Sequence, residues 1–81
     1  MKPTAVRRLA TERTLAELEA AIEVVSEEGV PPFELEADEA AEGLTHLLLA
    51  ARVRRRVDGG EELKEAFRAE MSAVRDVLTN G

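Results

Sequence analysis

Asp38-Glu-Ala-Ala-Glu-Gly-Leu-Thr-His-Leu-Leu-Leu-Ala-Ala-Arg-Val-Arg-Arg-Arg-Val57 is the stretch whose reading decides the fold. Wound as a helix at about 100° per residue, it carries two apolar faces. Ala40, Ala41, Leu44, Leu47, Leu48 and Ala51 form the first. Leu49, Ala50, Val53 and Val57, with His46 among them, lie roughly opposite. A surface helix needs one such stripe, whereas a helix with two must be covered from two sides. The remaining chain is therefore expected to wrap around it.

Outward from that centre the punctuation is clear. Thr14-Leu-Ala-Glu17 is a capping box, and Leu15, Leu18, Ala21, Ile22 and Val25 make the stripe of a helix over 14–28. Gly29 suits a left-handed stop, with Val30 as the apolar residue of a Schellman closure. Residues 29–37 form a connector stiffened by Pro31 and Pro32, extended, with Phe33 and Leu35 turned inward. Asp38 is the expected N-cap of the central helix over 38–57, and Gly43 within it leaves room for a neighbouring helix to come close. Asp58-Gly59-Gly60 breaks the chain. A last helix over 61–79 carries Leu63, Phe67, Met71, Val74 and Leu78 at near-heptad spacing. The N-terminal segment 1–13 reads equally as a short helix after Pro3 or as an extended arm. The expected fold is all-α: one domain over 1–81, a three-helix antiparallel arrangement with a long central helix, dimerising.

Charge is partitioned along the chain. Residues 14–42 hold ten acids and no base, residues 43–57 hold four arginines and no acid, and the net charge is −6. Complementarity between blocks predicts that Arg52, Arg54, Arg55 and Arg56 pair with carboxylates of residues 17–42, Arg55 mattering more than Arg56. The absence of cysteine excludes disulfides and thiolate chemistry and favours a cytoplasmic home. The N-terminus has no apolar core of a signal peptide, and the longest apolar run, Leu47 to Ala51, is far too short to span a bilayer.

Little in the chain points to catalysis. His46 is the only histidine, with Glu42 one turn before it, but no Ser, Cys or Tyr stands beside it as nucleophile. Glu39, Glu42 and His46 from two subunits form a conceivable metal set, yet the residue three before His46 is Gly43 where a bundle metal site needs Glu. No cofactor or metal is expected. The arginine run suggests phosphate binding through Arg52, Arg54, Arg55 and Arg56. Net acidity, the lack of Trp and Tyr for stacking, and a connector too long for a helix-turn-helix weigh against nucleic acid. The reverse idea is that acidic residues 17–42 imitate a phosphate backbone.

The opening Met-Lys-Pro with Val6 and Leu9, then Leu18-Glu-Ala-Ala-Ile-Glu-Val24, Asp38-Glu39 with Gly43-Leu44, Ala51-Arg-Val53, Val57-Asp-Gly-Gly and Lys64-Glu-Ala66 follow a pattern over nearly the whole chain. It resembles a small bacterial family of helical proteins, about 80 residues long, of unknown function. The resemblance implies no site residue, since that family has none assigned. This chain carries Arg and Ala where family members often have Lys or an aromatic residue.

The resulting expectation is a non-enzymatic cytoplasmic protein acting by self-association and protein–protein contact. Its homodimer would place His46, Leu49, Ala50, Val53 and Val57 at the interface, because two flanking helices can cover the first face of the central helix but only part of the second. A nucleic-acid-related role is the alternative.

Overall fold

In the computed structural model, which describes residues 2–80 and the side chains of residues 2–75, the chain forms four helices. These are α1 (Pro3–Glu12), α2 (Leu15–Glu28), α3 (Ala40–Asp58) and α4 (Leu63–Asn80), with no strand among the described residues. The expected three helices are thus four, because residues 3–12 of the ambiguous N-terminal segment form α1. Pro3 starts it at a position where a missing N–H costs nothing, and Ala5, Val6 and Ala10 supply a buried stripe.

α1, α2 and α4 all pack on α3. Polar contacts show which helix lies on which side. Arg55 reaches Glu19 of α2, Arg54 donates to the Ala10 carbonyl of α1, and Arg52 and Arg56 reach Glu70 of α4. By helical position, Leu47 and Ala51 fall between the α2 and α1 sides, while Leu49 and Val53 fall between α1 and α4. Val6, Ala10, Leu18, Leu47, Ala50 and Val53 are completely buried.

That placement corrects the interface expectation. His46, Ala50 and Val53 are fully enclosed and Leu49 is 8% exposed within one chain. α1 contributes the cover that two flanking helices could not provide, so this face needs no second copy to leave water. Val57 alone of the five stays half-buried. On the first face, Leu48 remains 46% exposed.

The local signals at the start of α2 act as the sequence implies. The Glu17 amide donates to the Thr14 hydroxyl at 3.1 Å, and the Thr14 amide donates to the Glu17 carboxylate at 3.0 Å. Gly29 is left-handed at φ 74°, and its N–H donates to the Val25 carbonyl. Val30 does not close a Schellman stop; it is 65% exposed. At the start of α3 the cap position belongs to Glu39, not Asp38, and Asp38 instead donates its amide to Glu42.

The connector is held by α1 and by Arg13, the residue that follows it. The Arg13 guanidinium lies 4.0 Å over the Phe33 ring, and Arg8 pairs with Glu36. Phe33 and Leu35 turn inward onto the core as expected. The room that Gly43 leaves is filled by Leu35, whose Cδ1 lies 2.9 Å from where a Cβ would stand. A connector side chain, not another helix, occupies that gap.

Leu47 and Leu48 are adjacent leucines with opposite environments. Leu47→Ala should cost about 2–5 kcal/mol, a cavity in the centre of the core, and Leu48→Ala less than half as much. Urea unfolding of the two variants checks this, and equal losses would mean α3 is rotated from the orientation described.

Candidate interaction surface

His46 is sealed where α1 meets α3. Its Nε2 accepts the Lys2 backbone N–H at 2.9 Å, so a neutral ring carries its proton on Nδ1. Nδ1 is buried and has no hydrogen-bond partner. Burial pushes the imidazole below its ordinary range, and the nearby Glu42 carboxylate pulls upward without overcoming it. An enclosed imidazole is not reachable by a substrate in this conformation, nor by a metal shared with a second copy. Among the described residues no group of three His, Cys, Asp or Glu side chains could hold a metal ion.

The arginines of α3 are paired, but mostly not as expected. Glu70 is 3% exposed and accepts from Arg52 Nε at 2.6 Å and Arg56 Nε at 2.5 Å. Arg56 also reaches Glu61 at 3.3 Å, and Arg54 reaches Asp58 at 2.9 Å. Only Arg55 meets the acidic block of residues 17–42, with Glu19 at 3.6 Å between two exposed side chains. The expected ranking therefore reverses: Arg56 secures a buried carboxylate, whereas Arg55 makes a long surface pair worth little. Burial pushes the Glu70 carboxyl up, and the guanidiniums of Arg52 and Arg56 together outweigh it and hold the group below the usual carboxylate range.

Glu70 was missed in the sequence. It stands four residues after Ala66, and these two residues are the buried ones on the described part of α4. Helix α4 therefore meets α3 along the edge of its apolar stripe, not through its centre. Phe67, Met71 and Val74, expected as core, are half-buried. With Pro3 of α1 they line an open apolar groove of about 610 Å³, bordered by Arg68, Ser72 and Arg75. Leu78, the next member of the stripe, lies outside the described side chains.

The chain belongs to a family of unknown function, DUF6952, whose model matches residues 1–79. No curated protein and no solved structure matches it. No helix among the described residues is long and apolar enough to cross a membrane.

Two sets of measurements test this geometry. Melting temperatures of single variants should fall most for Glu70→Ala, less for Arg56→Ala and least for Arg55→Ala; a larger loss for Arg55→Ala would break the described pairing. The second set concerns pH. The folded His46 value lies below the unfolded one of about 6.5, so its contribution is complete above that pH and is lost as pH falls from there toward the folded value. The Glu70 contribution persists above the ordinary carboxylate range and is lost only as pH falls through its lowered value. The urea midpoint should therefore drop between about pH 7.5 and about pH 5.5, and His46→Leu should flatten that drop. An unchanged slope in His46→Leu would assign the effect elsewhere.

Proposed function

We propose that this protein acts without catalysis, by protein–protein contact through the apolar groove of α4. The observation that carries the reading is the open apolar groove lined by Phe67, Met71 and Val74, which pack against the core on one side and are only partly buried. Contiguous apolar surface on a small chain is costly to leave in water and is characteristic of contact sites. A helix stripe with anchors at i, i+4 and i+7 is also the pattern by which helices dock in grooves. Enclosure of His46 and internal pairing of Arg52, Arg54, Arg55 and Arg56 support contact over catalysis and over phosphate binding. A cytoplasmic setting is part of the proposal and rests on the cysteine-free composition.

Three versions of the full chain serve as baits in native lysate: the unaltered protein, Met71→Glu, and Arg7→Glu as an exposed control on α1. A partner should be retained by the first and third and lost by Met71→Glu, with helicity verified by circular dichroism. Equal retention by all three would remove α4 from the function.

A further inference from the structure

Resting on the reading of α4 as a contact face, we propose that its partner is an amphipathic helix whose apolar stripe is edged by carboxylates, and not a second copy of this chain. The groove is asymmetric. Pro3 of α1 contributes to its wall, and Arg68 and Arg75 border it on the flank of the stripe away from the buried Ala66 and Glu70. Lys64 lies one turn before Arg68, and the three cations fall within about 40° of one another around α4.

These cations are exposed and, among the described residues, have no carboxylate within 4 Å, in a chain of net charge −6. Elsewhere the same chain finds acids for its arginines: Arg8, Arg13, Arg52, Arg54, Arg55 and Arg56 each have one. Among the described arginines Arg7, Arg68 and Arg75 have none, and two of those three border the groove. An acidic edge on the occupant would complete that border. Charge complementarity of this kind selects partners and speeds encounter.

A second copy fits poorly for the same reason. Antiparallel pairing of two α4 helices about a twofold axis near Met71 sets Phe67 of one copy against Val74 of the other. It also sets Arg68 of one copy near Arg75 of the other, twice, along the same edge of the contact. Like charges face each other along that edge, a penalty for self-pairing. Nor can α2 of another copy be the acidic helix, since Leu18, Ala21 and Val25 of its stripe are buried against the core. Phe67 to Val74 spans about 10 Å of helix, so the contact is short and belongs to the weak, reversible class.

The test uses the full chain and two synthetic helical peptides with the same leucine stripe at i, i+4 and i+7. One carries glutamates seven residues apart along one flank, and the other carries lysines at the same positions. Fluorescence anisotropy should show the glutamate peptide binding at least about tenfold more tightly than the lysine peptide. The double variant Arg68→Glu/Arg75→Glu, altered only at exposed positions, should reverse that preference. Met71→Glu should lose both peptides. Equal binding of the two peptides, or a preference untouched by the double variant, overturns the proposal. If binding in that case still requires Met71, the contact-face reading survives without this partner. If neither peptide binds and sedimentation shows a dimer that Met71→Glu dissolves, the occupant is a second copy and the proposal fails. Absence of any Met71-dependent binding or assembly removes both the partner and the contact face.

Discussion

A helix that is apolar on two sides cannot be stable in water until both sides are covered, and every other segment of this chain answers to that requirement. α3 has Leu47 and Ala51 on one arc and His46, Leu49, Ala50 and Val53 on the other. Each large side chain left exposed would forgo about 1.5–3 kcal/mol, a substantial fraction of the stability expected for so small a domain. α2 and α1 close the first arc. The second is shared by α1 and α4, which is possible because Ala5, Ala10, Ala50 and Ala66 are small enough for the backbones to approach. The connector completes the enclosure where Gly43 leaves space for Leu35.

The arginines then settle locally. A charge inventory by blocks favoured long-range pairing between the acidic and basic stretches, yet ion pairs are decided by reach. Arg54 finds Asp58 one turn along its own helix, and Arg52 and Arg56, also one turn apart, converge on Glu70. A lone buried carboxylate would be expensive, whereas one held by two guanidiniums is tolerated and fixes the position of α4 against α3. The exposed halves of both arginines remain solvated, so the cluster is a locator of helix register more than a large store of stability.

Much of this architecture was legible beforehand. Periodicity identified α3 as the hub, and Thr14, Glu17 and Gly29 marked the ends of α2 because capping is a local interaction between residues a few positions apart. Phe33 and Leu35 were readable for the same reason, alternating with acids between prolines. The N-terminal segment was not legible, since Val6, Leu9 and Ala10 fit one short turn as well as an arm, and only tertiary packing makes a helix of residues 3–12. Misjudging α1 removed one layer of cover and created an apparent need for a dimer. The groove was hidden for a related reason. A heptad-like stripe says which side of α4 is apolar but not which part of that side faces α3, and Ala66 with Glu70 show that its edge does.

Pro3 belongs to two neighbourhoods at once. It opens the helix whose preceding residue, Lys2, gives its amide to His46, and it also forms one wall of the groove on α4. Seating of α1 and the shape of that wall are therefore linked quantities. Whatever fills the groove against Pro3 must raise the free energy needed to detach α1. By reciprocity, whatever loosens α1, including a proton on His46, must lower the affinity of the groove by the same factor. A groove walled partly by a short helix thus carries a dependence on that helix's own docking equilibrium.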